Sequence, residues 1–116
     1  MISNKINSGI NGNIKIPGDK SMSHRSIIIP SISKGVSEIN NILMSDDVLH
    51  TLNAFKLLGV KILTEDKKII IHGKGLDSLN KSNKNIYLGN SGTSARLLTG
   101  LLASQSFNTI IEGDKS

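Results

Sequence analysis

The chain has 116 residues, no cysteine, 3% aromatic residues and a formal net charge of +5. That length suits one small domain with a modest stability margin, and the missing thiols exclude a disulfide framework and thiolate metal centres. The lysines are scattered and few rings are present to stack on bases, so the charge reads as a soluble basic surface or an anion site, not as a nucleic-acid interface.

In chain order, Ile10, Ile14 and Ile16, separated by Asn and Lys, predict a strand over 10–16 that Pro17-Gly18 ends. No apolar signal core or membrane-length run precedes or follows it, and the expectation is a cytoplasmic protein away from membranes. From 23 to 33 the spacing turns helical, with Ile27, Ile28 and Ile32 on one face. Pro30 removes a backbone bond at a cost of roughly 3 kcal/mol unless the helix bends or ends, so a kink is expected. Gly35 is placed as a C-cap, and 36–42 returns to strand character. Ser45 is a natural N-cap for the clearest helix, with Asp46 and Asp47 in its first turn, Val48, Leu52 and Phe55 on one face, and Gly59 closing it. A hairpin follows, 60–64 and 68–72 around Glu65-Asp66-Lys67, then a polar connection over 73–85. A short strand at 86–88, a helix over 93–104 and a strand over 107–112 complete the chain, which stops at Asp114-Lys115-Ser116 without a C-cap or polar tail, as a truncated end would.

The order is β-α-β-α-β-β followed by β-α-β, one complete unit and part of a second. Gly18-Asp19-Lys20-Ser21-Met22-Ser23-His24-Arg25 aligns with Gly89-Asn90-Ser91-Gly92-Thr93-Ser94-Ala95-Arg96, an offset of 71 (89 minus 18). Such a period denotes repeated supersecondary units sharing a core.

Both aligned segments are strand-to-helix turns. The first amides of a helix lack internal partners and, with the macrodipole, favour anions. In the first turn Lys20 and Ser21 stand just before the helix and Arg25 lies in its first turn, a donor set that suits phosphate or carboxylate. In the second, Gly92 lets a ligand lie against bare backbone, and Asn90, Ser91 and Thr93 add short polar groups. Taken singly, each turn is more economically an ordinary helix start capped by Ser21 or Ser23, or by Thr93 or Ser94. Two such turns at equivalent repeat positions shift that balance, because related units would bring both positive ends to one region. His24, His50 and His72 show no metal-ligand spacing, so no metal and no cofactor are expected.

The run Pro17 to Arg25 resembles the N-terminal signature of the 5-enolpyruvylshikimate-3-phosphate synthases, and Leu88-Gly89-Asn90-Ser91-Gly92-Thr93-Ser94-Ala95-Arg96-Leu97-Leu98 resembles their second signature. Ser45-Asp46-Asp47, Leu57-Leu58-Gly59-Val60 and Gly113-Asp114-Lys115-Ser116 are similar to family features too. The resemblance implies an α/β (α+β) fold of two similar domains, an inside-out barrel of β-α-β-α-β-β units with helix starts facing the cleft. Residues 1–19 would then supply a strand that packs with the second domain. Residues 20–116 would form part of the N-terminal domain, the first unit over 20–85 and the start of the second over 86–116.

The implied reaction moves the enolpyruvyl group of phosphoenolpyruvate to the 5-hydroxyl of shikimate 3-phosphate and releases phosphate, through a tetrahedral intermediate. By resemblance Lys20 contacts both substrates, Ser21 and Arg25 bind shikimate 3-phosphate, and the Gly92 backbone lies against phosphoenolpyruvate, with Asn90 a weaker candidate. A larger residue at Gly92 would crowd that ligand and glyphosate-type inhibitors. The general acid/base groups would lie outside this chain, which by itself is expected to be inactive; the full-length enzyme is expected to be a monomer. The related transferase acting on UDP-N-acetylglucosamine shares the fold but lacks the Asp-Lys-Ser-x-Ser-His-Arg run. A non-enzymatic anion-binding module is the alternative from another class.

Overall fold

A computed structural model of the chain describes residues 12–65 and 68–115. The elements are α1 (Lys20–Ile32), β1 (Lys34–Asn40), α2 (Asp46–Leu57), β2 (Lys61–Glu65), β3 (Lys68–Lys74), a 3₁₀ turn (Leu76–Ser78), β4 (Ile86–Tyr87), α3 (Gly92–Leu102) and β5 (Ile111–Glu112). The result is a mixed α/β fold.

β3 is the central strand of an antiparallel sheet ordered β1-β3-β2, with Ser37 opposite Ile71 and Ile62 opposite Ile71 on its two sides. Its alternation puts Ile69 and Ile71 on the buried face, as a sheet covered on one side requires. α1 packs on β3 and α2 packs on α1. Ile27 and Ile28 of α1 and Val48, Leu52 and Phe55 of α2 make the core with Leu58, Leu79, Ile86, Leu88 and Leu98, aliphatic but for the Phe55 ring. A buried side chain of this kind contributes about 1.5–3 kcal/mol relative to exposure. β4 and β5 pair in parallel, Ile86 opposite Ile111, with α3 as their crossover.

Several expectations need correction. Ile10 lies outside the described residues, and 12–19 forms no strand; Ile14 and Ile16 stand in solvent, and no strand among the described residues takes their backbone groups. α1 begins at Lys20, not Ser23, because Asp19 rather than a serine is its cap, its carboxylate accepting the Met22 amide at 2.7 Å. Lys20 and Ser21 are therefore inside the helix, and Arg25 belongs to its second turn. Pro30 sits in the last turn, two residues before the end, so the one backbone bond it removes, to the Ser26 carbonyl, weakens only the final turn and the helix stops soon after. Gly35 lies within β1, and Ser33 is the C-cap. Ser45 is the N-cap residue of α2 but makes no side-chain capping bond. The hairpin forms as β2 and β3, while Asp66 and Lys67 at its turn lie outside the described residues. The last strand shrinks to Ile111–Glu112, since its one partner among the described residues, β4, offers two residues.

Candidate functional site

The starts of three helices meet at one end of the fold. Lys20, the first residue of α1, forms an ion pair with Asp47, the second residue of α2. One turn deeper, His24 Nδ1 lies 2.9 Å from Thr51 Oγ1 of α2, and Thr51 Oγ1 lies 2.7 Å from Ser94 Oγ of α3. Ser94 Oγ in turn contacts Ser91 Oγ, the N-cap of α3, at 2.7 Å. Since His24, Thr51 and Ser94 occupy the N-terminal halves of their helices, the helix starts lie on the same side.

The caps decide which backbone donors remain. Asp19 takes the Met22 amide and Ser91 takes the Ser94 amide. Helix geometry leaves the amides of Lys20 and Ser21 in α1, and of Gly92 and Thr93 in α3, without an intrahelical acceptor. Lys20 keeps about half of its side chain exposed (52%) despite its ion pair, so the ammonium remains accessible to an anion. Ser21 and Arg25 are exposed on the same helix, the guanidinium reaching only the Met22 sulfur at 3.4 Å. Gly92 is exposed, and a Cβ built on it meets no atom within 4 Å. Asn90 is exposed as well.

The second turn is held from below. Gly89 has φ +58°, and a Cβ there would lie 2.7 Å from Cε1 of His50, whose ring packs edge-on against Tyr87 with centroids 5.1 Å apart. The first turn is held by Ser23, whose hydroxyl donates to the Asp19 carbonyl at 2.7 Å and accepts the Leu43 amide at 3.0 Å. Electrostatically the ensemble is mixed. Asp46 and Asp47 occupy the first turn of α2 and offset that helix's positive end, and the Asp19 carboxylate caps α1, where Lys20 supplies the compensating positive charge; α3 starts with no acidic side chain. His24 is held below its ordinary pKa of 6.5, mainly by burial; the Asp47 carboxylate opposes the shift and Lys20 adds to it.

Lys20, Ser21 and Arg25 thus share one helix start, and Gly92 begins the neighbouring one. Sequence reasoning took Asp47 as a helix-dipole partner, Ser91 as a short polar group of the second turn and Ser94 as a candidate cap, read His24 as an unremarkable residue at a helix start, and passed over Thr51, the residue that joins them. A signal was available. His24 precedes Ile27 and Ile28 by three and four, Thr51 lies three after Val48 and four before Phe55, and Ser94 lies four before Leu98, so each helix carries at least one polar side chain within its apolar stripe. Among the described residues no three His, Asp or Glu side chains gather as metal ligands, and no helix is long and apolar enough to cross a membrane.

Comparison with known proteins gives a consistent picture. Residues 5–116 match the family model described as EPSP synthase (3-phosphoshikimate 1-carboxyvinyltransferase). A 3-phosphoshikimate 1-carboxyvinyltransferase of Oenococcus oeni is 54% identical over 108 residues, covering 93% of this chain and 25% of that protein. One of Listeria welshimeri is 50% identical over 116 residues, covering 100% of this chain and 27% of the relative. The solved EPSP synthase from Acinetobacter baumannii superposes with a TM-score of 0.86 at 42% identity, covering 90% of this chain and 24% of that one. The chain thus spans about a quarter of the length of the relatives it matches.

Proposed function

The chain belongs to the EPSP synthase (3-phosphoshikimate 1-carboxyvinyltransferase) family, and from that premise we propose that it supplies one wall of a cleft in which the enolpyruvyl group of phosphoenolpyruvate passes to the 5-hydroxyl of shikimate 3-phosphate. Lys20 contacts both anions, Ser21 and Arg25 hold shikimate 3-phosphate, and the Gly92 backbone receives phosphoenolpyruvate. The observation that carries this reading is the gathering of the α1 and α3 starts, each with two spare amides, around an accessible ammonium. Donors fixed in advance of the ligand stabilise developing negative charge without reorganising.

The repeat belongs to the same proposal: 20–85 supplies the α-β-α-β-β part of a first unit, 86–116 begins a second, and 1–19 docks on a further domain. Two parallels support it. A Cβ on Gly18 would lie 2.5 Å from the Asn41 carbonyl, and a Cβ on Gly113 would lie 3.0 Å from the Gly89 carbonyl, so each turn abuts the residue just past the strand that follows its helix. Ser23 and Ser94, buried at equivalent positions (94 minus 23 is again 71), each bond across to another element. The exposure of Ile14 and Ile16 supports the docking role.

Calorimetric titration of the 116-residue chain with shikimate 3-phosphate tests the site. Lys20→Ala and Arg25→Ala are each expected to weaken binding tenfold or more, on the order of one or two charge-assisted hydrogen bonds, while mixed oligonucleotides bind weakly and equally to all three chains. Equal affinity of the variants for shikimate 3-phosphate would refute the assignment. Turnover is not expected from residues 1–116 alone, and substrate-dependent phosphate release from the purified chain would contradict that.

A further inference from the structure

His24, Thr51 and Ser94 are each 0% exposed, and they belong to three different helices. Burying a hydroxyl or an imidazole is costly unless its hydrogen bonds are made, and apolar groups of similar shape can often replace a buried polar pair at little cost. Fold stability alone therefore gives no reason for three polar side chains to meet here. Hydrogen bonds do supply direction: a satisfied buried network specifies one relative placement of the elements it joins, whereas apolar surfaces can repack. Of the three helices joined, α1 and α3 carry the spare amides and α2, through Thr51, stands between them. His24 is one turn beyond Lys20 on α1, and the chain of contacts ends on Ser91, immediately before Gly92 on α3.

The chain also has a polarity. His24 Nε2 is buried without a partner among the described residues. An orphaned buried N–H is rarer and costlier than a bare lone pair, so the proton belongs on Nδ1. Nδ1–H then donates to Thr51 at 2.9 Å, with Ser94 Oγ a more distant second contact at 3.4 Å, and the Thr51 hydroxyl donates to Ser94 at 2.7 Å in preference to the Asp47 carbonyl at 3.3 Å.

We infer that Thr51 is a positioning residue: through His24 and Ser94 it holds the first turns of α1 and α3 at one spacing, so that Lys20 and the Gly92 backbone engage their ligands together. The inference rests on the proposed reading of those two turns as the substrate site. Thr51 itself touches no ligand and acts only through its two neighbours.

The test uses the ¹⁵N-labelled 116-residue chain, titrated with phosphoenolpyruvate in the presence of shikimate 3-phosphate. Thr51→Val keeps the shape and removes the shared hydroxyl; Thr51→Ser restores the hydroxyl. The valine variant should bind phosphoenolpyruvate about fivefold or more weakly, the effect of one lost buried hydrogen bond, and its His24 ring ¹⁵N shifts should depart from the Nδ1–H pattern of the unmodified chain. The serine variant should return both readouts to those of the parent. A purely structural role would not give rescue of affinity together with the tautomer. Unchanged affinity in the valine variant overturns the inference and leaves the site standing. Failure of the Lys20–Arg25 and Gly89–Ser94 amides of the parent chain to respond to either ligand overturns the site reading and the inference with it. If the valine variant does not fold, Ser94→Ala decides by the same criteria: parental affinity overturns, and weakened binding with an altered His24 tautomer supports.

Discussion

A methyl group added at Gly92 meets nothing within 4 Å, whereas one at Gly89 would press on the His50 ring from a backbone at φ +58°. The two glycines of the second turn therefore serve different ends. Gly89→Ala should lower stability by about 1–3 kcal/mol through strain and crowding. Gly92→Ala should leave the thermal midpoint unchanged or slightly raised, alanine being the better helix former, yet weaken phosphoenolpyruvate binding. Thermal unfolding of both variants separates a glycine kept for the fold from one kept open for a ligand. His24 makes a second prediction. Its pKa is lowered in the folded chain, so between the folded value and the unfolded 6.5 the unfolded state binds more protons. Its contribution is complete above 6.5 and is lost as pH falls through the folded value. The charged groups acting on it are Asp47 and Lys20, from α2 and α1. Replacing His24 with asparagine should flatten this part of the stability profile, read from chemical denaturation at a series of pH values below 7.

At the scale of elements, α1 and α3 owe their starts to side chains that cap them, and α2 starts without such a bond. Asp19→Ala should cost about 1 kcal/mol, and Asp19→Asn only a few tenths, since asparagine caps equally well. Denaturant midpoints measure both; a neutral alanine variant would show that the cap is idle. The positions of α2, α3, β2 and β3 were legible in the chain because their apolar periods are clean and Gly59 and the Lys-rich hairpin delimit them. The beginning of α1 was misplaced because three serines and an aspartate crowd residues 19–26, any of which can cap, and only the three-dimensional course of the backbone selects Asp19. The candidate ligands Lys20, Ser21, Arg25 and Gly92 were legible as a motif. The hydrogen bonds that bring their helices together were not, because a polar residue in an apolar stripe announces that it has a partner without saying which one.

For the molecule as a whole, a net charge of +5 makes anion binding sensitive to salt, while the fold itself rests on the aliphatic core of α1, α2 and the three-stranded sheet. Ile14 and Ile16 take no part in that core, so Ile14→Ser with Ile16→Ser should change unfolding free energy by less than about 0.5 kcal/mol; a larger loss would mean that they pack within this chain. The contact between Ser94 and His24 spans 70 positions, and β4 and β5 offer each other two residues apiece. Closing so long a loop is slow, and so short a ladder adds little to retain it once closed. The segment from Ile86 onward is accordingly the part that detaches first and returns last, ahead of any loss of the β1-β3-β2 sheet. Amides of α3 should exchange with solvent deuterium well before those of Ile69 and Ile71, and a substrate that bridges the two turns as proposed should slow that early exchange selectively.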